Sequence, residues 1–210
     1  MKCVIVSGGD APRKNDLIRH LKDASLCLAV DGAADLFDRW GLVPHYLIGD
    51  MDTAALGSLS RLESSGAASI KLQREKNETD TEAAIKFAIG SGADDIVMLS
   101  ATGGRFDHTM GNVAMLVRAS RAGVRCRIID KTNEMWAATG EHDIDGRIGQ
   151  TVSIIPLTGD LTVTATNLEY PLEGLFLGVD ASRGISNVIM KSPAHLSISG
   201  GYALIVKIRS

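Results

Sequence analysis

Two aspartates flank a single residue in Gly49-Asp50-Met51-Asp52, an arrangement that ordinary helix capping does not call for. A lone aspartate ahead of a helical pattern can accept the helix's free N–H groups. Asp52, Asp80 and Asp107 each stand in such a place, and Thr79 and Glu82 have capping-box spacing. Capping accounts for any one of these residues. A second carboxylate two residues from Asp52 gains nothing as a cap and adds repulsion, so the pair suits a hard cation with oxygen ligands, such as Mg²⁺ carrying a substrate's phosphates. The segment Gly103-Gly104-Arg105 has two readings of equal standing: backbone N–H groups and a forked guanidinium gathered on an anion, or a flexible turn with a solvated arginine. His108, directly after Asp107, either touches phosphate or starts a helix.

Several chemistries are excluded. No Walker A or GxGxxG motif is present, since Gly90-Ser91-Gly92 lacks a third glycine and lies at a helix end, so ordinary P-loop kinases and Rossmann dehydrogenases fall. His20, His45, His142 and His195 are scattered without metal-ligand spacing. Lys and Arg total 22 against 25 Asp and Glu, a net charge of -3, which gives no electrostatic footing for nucleic acid or an anionic membrane. Arg118, Arg121, Arg125 and Arg127 accordingly read as a solvated helix end and strand edge. Cys3, Cys27 and Cys126 are odd in number, far apart and without CxxC spacing, which argues against a disulfide framework or zinc site and for a reducing cytoplasm. The apolar run after Lys2 is too short for a signal peptide, and no run approaches the roughly 18 residues of a membrane span.

The candidate groups need a scaffold. Short apolar runs at 3–6, 26–30, 46–48, 69–72, 96–99 and 126–129 read as strands. Between them apolar residues recur at spacings of three and four: Leu17, Ile18 and Leu21; Ala33, Leu36, Phe37 and Trp40; Ala84, Ile85, Ala88 and Ile89; Val113, Leu116 and Val117. This alternation predicts an α/β domain, a mainly parallel sheet with helices on both faces. Ligands of such sheets gather beyond the carboxyl ends of the strands. The predicted strands run in turn into Ser7-Gly8-Gly9-Asp10, Asp31-Gly32, the paired aspartates, residues 73–80, residues 101–108 and Asp130, so glycines and carboxylates collect on one rim. From about residue 141 the texture becomes short strand-like runs, at 151–155, 161–166, 188–190, 195–198 and 203–208, which predicts a small all-β, sandwich-like domain. The expected domains are 1–135 and 141–210, and the second is small enough to gain from packing on a partner.

The order of these motifs resembles the thiamine pyrophosphokinase, or thiamine diphosphokinase, family. The resemblance rests on Asp31-Gly32-Ala33-Ala34, Gly49-Asp50-Met51-Asp52-Thr53, Lys76-Asn77-Glu78-Thr79-Asp80-Thr81-Glu82, Gly103-Gly104-Arg105-Phe106-Asp107-His108-Thr109 and Ser182-Arg183-Gly184-Ile185-Ser186-Asn187, and it spans nearly the whole chain. The family's pattern has an aromatic between the paired aspartates and a serine after them, where this chain has Met51 and Thr53. Both changes spare the carboxylates.

The resemblance implies transfer of a pyrophosphoryl group from ATP to the hydroxyl of thiamine, with Mg²⁺ as cofactor. It implies Asp50, Asp52 and Asp80 as the catalytic and metal-holding residues, and Asp31, Thr79, Gly104, Arg105, Asp107 and His108 around ATP. It further implies Ser182, Ser186 and Asn187 at thiamine, and a homodimer whose sites combine the acidic rim of one chain with the 182–187 turn of the other. Read alone, that turn is a β-turn using Gly184 and Asn187 for backbone reasons. Two other functions share the same rim: another Mg²⁺-dependent enzyme using ATP on a small alcohol, and a thiamine- or nucleotide-binding module without catalysis.

Overall fold

The apolar runs of the first 131 residues form an all-parallel sheet in the computed structural model, which describes residues 1–75 and 77–209. Lys76, part of the resemblance, and Ser210 lie outside the described residues. The chain divides into two units, Met1–Lys131 and Thr132–Ser210.

In the first unit the strands are β1 (Lys2–Val6), β2 (Leu26–Val30), β3 (Tyr46–Gly49), β4 (Ala68–Lys71), β5 (Asp95–Leu99) and β6 (Arg125–Ile129), in the order β6-β5-β1-β2-β3-β4. Residues from Cys3 to Val6 and from Ile96 to Leu99 are fully buried, as a sheet covered on both faces requires. The chain steps outward from β1 to β4 and then returns to lay β5 against the other side of β1. That return creates a topological switch point, the usual place for a ligand crevice. Pairing there continues past the strands: Ser7 N–H donates to Leu99 O at 2.9 Å, Gly9 N–H to Ser100 O at 2.7 Å and Asp10 N–H to Thr102 O at 2.8 Å. Only glycine fits at position 9, where a Cβ would stand 2.3 Å from Thr102 O.

The helices are α1 (Lys14–Leu21), α2 (Ala33–Trp40), α3 (Leu56–Ser64), α4 (Asp80–Gly90) and α5 (Phe106–Arg121). Helix α3 is absent from the sequence expectation because Gly57 and its serines weaken its propensity. It forms because Leu59 and Leu62 are buried in the core with Phe37 and Leu17, and burying a side chain of that size contributes about 1.5–3 kcal/mol. Neighbouring α2 also holds it. The Asp35 carboxylate accepts Ala55 N–H at 3.1 Å, and Arg61 forks onto Asp38 at 2.6 and 2.9 Å. Among the arginines expected to be solvated, Arg118 pairs with Glu82 at 3.3 Å, and Arg125 and Arg127 pair with Asp95 at 2.8 and 3.3 Å. Among the described residues no helix is long and apolar enough to cross a membrane.

The second unit is β-rich: β7 (Asn133–Ile144), β8 (Thr151–Pro156), β9 (Leu161–Thr166), β10 (Leu172–Leu177), β11 (Asn187–Val188) and β12 (Ala194–Ile208). The runs 195–198 and 203–208 fuse into β12, whose register against β7 jumps from Ile198↔Gly140 to Ala203↔Ala138 at a bulge containing Gly200 and Gly201. On its other edge β12 pairs with β9 before the bulge and with β8 after it, so the bulge is where that edge changes partner. The strands enclose a core that includes Ile144, Val152, Val163, Leu196 and Ile205. Strand β7 runs through the stretch the sequence leaves between its two domains, and its polar stretch from Thr139 to Asp143 hides it from an apolar-run reading.

Candidate functional site

A cleft of about 640 Å³ opens beyond the carboxyl ends of the first unit's strands. Its lining includes Ser7 to Asp10 after β1, Asp31 and Gly32 after β2, Thr79 and Asp80 at α4, and Gly103, Gly104, Arg105 and His108 at α5. The N-termini of α2, α4 and α5 all reach it, and their free N–H groups favour an anion. Thr79 caps α4 by accepting Glu82 N–H at 3.1 Å, while the Glu82 carboxylate turns to Lys86 at 3.0 Å. The capping box is thus half made. Asp52 is not the cap of α3, which begins after Ala55, whose own N–H is accepted by Asp35. Asp80 and Asp107 lie inside the first turns of α4 and α5.

The paired aspartates sit on a strained turn, for Met51 has φ +63, a left-handed conformation uncommon in a side-chain-bearing residue. Because β2 and β3 are adjacent, this turn meets Asp31, and carboxylate oxygens of Asp31, Asp50 and Asp52 lie within 4.8 Å of one another. Asp50 Oδ1 accepts Asp52 N–H at 3.1 Å. Thr53 Oγ1 stands 2.8 Å from Asp31 Oδ2 and 2.9 Å from Asp52 Oδ1, with one proton for both. Asp31 Oδ1 is buried and has no hydrogen-bond partner among the described residues. Burial pushes the Asp31 carboxyl up, the Thr53 hydrogen bond opposes the rise, and the charges of Asp80, Asp50 and Asp52 add to it.

Three converging carboxylates and an orphaned buried oxygen fit a divalent cation, and an all-oxygen donor set is of the magnesium or calcium kind rather than the zinc kind. Asp80 is not one of the three; it faces the cleft from α4. Asp50 and Asp52 border a more open hollow with Lys71, Gln73, Arg74 and Glu75, where Arg74 Nη2 lies 3.5 Å from Asp52 Oδ2.

Gly104, Arg105 and His108 line the cleft, whereas Asp107 holds Arg105 by a fork of 3.2 and 2.5 Å. The Arg105 guanidinium draws the Asp107 carboxyl below its usual range. Sequence reasoning missed Thr53 and Asn112 as site residues. Asn112 is buried, and its Nδ2 donates to Ala101 O at 2.8 Å, which fixes the glycine turn from inside α5. An asparagine beside the apolar positions Val113 and Leu116 was the available signal.

In the second unit Ser182 and Ser186 are exposed and Asn187 is buried. Asn187 Oδ1 accepts Tyr170 N–H at 3.0 Å and Val188 N–H at 2.8 Å, and Nδ2 donates to Tyr170 O at 2.7 Å. Ser186, at φ +63, donates its N–H to Ser153 Oγ at 3.0 Å. A Cβ at Gly184 would lie 2.0 Å from Ile154 O. Gly184 and Asn187 therefore serve the backbone of the turn, while the two serines face solvent.

Residues 17–128 match the thiamin pyrophosphokinase catalytic domain, and residues 141–202 match the thiamin pyrophosphokinase vitamin B1 binding domain. The chain is 30% identical over 207 residues to a thiamine pyrophosphokinase of Bacillus subtilis (strain 168), across 97% of this chain and 96% of that protein. A crystal structure of thiamine pyrophosphokinase from Bacillus subtilis is similar at a TM-score of 0.88 and 26% identity, over 100% of both chains. One from Geobacillus thermodenitrificans is similar at 0.83 and 25%, over 100% of this chain and 98% of that one.

Proposed function

The chain belongs to the thiamin pyrophosphokinase family, and we propose that it transfers the pyrophosphoryl group of ATP to the hydroxyl of thiamine, giving thiamine diphosphate and AMP. The observation that carries the reading is the meeting of Asp31, Asp50 and Asp52, one of them with an orphaned buried oxygen, beside a cleft rimmed by helix N-termini.

Asp31, Asp50 and Asp52 would hold Mg²⁺, with Asp80 facing the same cleft from α4. A bound cation of this kind neutralises charge on the β-phosphate and on the oxygen that departs with AMP. The protein's own share is position. The N-termini of α4 and α5, where Thr79 and Gly104 line the cleft, would receive phosphate oxygens, and Arg105, held by Asp107, would add its guanidinium. An alcohol attacking a loose transition state needs little base strength, so a nearby carboxylate suffices to take its proton. The hydroxyls of Ser182 and Ser186, presented on the turn that Asn187 braces, are the groups for thiamine.

We read the protein as cytoplasmic and as a homodimer sharing its sites between subunits; light scattering tests the dimer. Product analysis after incubation with ATP, Mg²⁺ and thiamine tests the reaction. Thiamine diphosphate and AMP in equal amounts are expected. ADP with thiamine monophosphate would indicate single phosphoryl transfer instead, and binding of both substrates without turnover would indicate a non-catalytic module.

A further inference from the structure

Asp52 already holds a cation of the chain's own. Its Oδ1 faces Thr53, and its Oδ2 faces the Arg74 guanidinium at 3.5 Å. Arg74 lies between β4 and α4, where Leu72 N–H bonds Gly49 O at 2.8 Å on one side and Glu78 pairs with Lys86 on the other. The ends of the connection are pinned, and Arg74 reaches inward from its middle. Its side chain is 81% exposed and that of Asp52 47%, so the pair is a weak one that yields to a divalent ion.

We propose that Arg74 is a displaceable counter-cation: it neutralises Asp52 while the metal site is empty, and the ion that takes Asp52 frees it for the phosphates of the incoming nucleotide. The proposal rests on the metal reading of Asp31, Asp50 and Asp52. It gives one residue two effects of opposite sign, opposing the bare metal and assisting the metal–nucleotide complex. Arginine suits both tasks, because its planar fork fits carboxylate and phosphate alike.

The test is a calorimetric titration of nucleotide-free protein with Mn²⁺, followed by a non-hydrolysable ATP analogue at saturating Mg²⁺. Arg74→Gln should bind Mn²⁺ about two- to fivefold more tightly, the range an exposed ion pair commands, and the analogue more weakly. Arg74→Lys should fall between it and wild type. Lys71→Gln removes the same charge from the same hollow without removing the contact, and should leave Mn²⁺ affinity nearly unchanged. Unaltered Mn²⁺ binding in Arg74→Gln, or equal shifts in Arg74→Gln and Lys71→Gln, overturns the proposal alone. Equal Mn²⁺ binding by wild type and Asp50→Asn overturns the metal reading and the proposal with it.

Discussion

The acidic rim of the first unit and the 182–187 turn of the second are made from the same materials: short polar side chains, glycines that leave no room for a Cβ, and a non-glycine residue at positive φ in each, Met51 and Ser186. They dispose of their polar atoms in opposite ways. Among the described residues Asp31 keeps a buried oxygen without a partner and shares one threonine proton with Asp52, whereas Asn187 has both ends of its amide bound to backbone. Unmet hydrogen-bonding capacity in a buried place costs stability, roughly 1–3 kcal/mol per group, and persists where a missing partner supplies it. Met capacity belongs to scaffold. On the proposed reading, the contrast separates residues that would take a ligand from residues that shape their own turn.

The sharpest way to break this contrast is Asp52→Asn. The amide keeps the shape and can still face Thr53, but it loses the charge a metal requires, so the variant should fold normally and lose about a thousandfold in turnover. Near-normal turnover with an unchanged Mg²⁺ requirement would return Asp52 to the scaffold. On the other side, Asn187→Ala strands Tyr170 N–H and C=O together with Val188 N–H. Urea unfolding should show a loss of about 2–3 kcal/mol, larger than any change in thiamine KM. A variant as stable as wild type with weakened thiamine binding would reverse the comparison. Arg105→Lys keeps the charge and removes the fork, and should lower kcat/KM for ATP about tenfold with thiamine KM largely kept. Equal losses for both substrates would mean that the α5 turn itself had moved.

The smallest effect concerns a bond of the second unit that depends on protonation. Trp136 Nε1–H donates to His142 Nε2 at 2.8 Å, which requires a neutral ring. Burial lowers the His142 pKa, with Asp143 opposing. The folded state therefore binds fewer protons than the unfolded one just below the ordinary histidine range. Stability from this contact is complete above a pH of about 6.5 and is lost as pH falls through the lowered value. Thermal melts between neutral and mildly acidic pH should show a loss of about 1 kcal/mol that His142→Gln flattens.

Strands such as 26–30 are legible in the sequence because a parallel sheet buries both of their faces and leaves a continuous apolar run. Helix α3 and strand β7 are not, because tertiary contacts and long antiparallel pairing override weak local signals. The site divides along the same line. Asp50 and Asp52 announce themselves as neighbours in sequence, but Asp31 joins them only through the pairing of β2 with β3. Asn187 is spoken for by Tyr170, and nothing local tells that apart from a ligand contact.

The pairing that seals the floor of the cleft sets an order of events in biosynthesis. Lys2 is aligned with Asp95, and the amides of Ser7, Gly9 and Asp10 find their acceptors only on Leu99, Ser100 and Thr102. A ribosome-bound chain that has not yet delivered β5 carries the Asp50–Asp52 turn but lacks the acceptors that close the floor of the cleft. Contacts so distant in sequence must meet their loop-closure entropy before they are rewarded. On the proposed reading, nucleotide would protect the finished first unit rather than template the nascent one, and exchange of the Gly9 amide with solvent would report the moment at which the cleft closes.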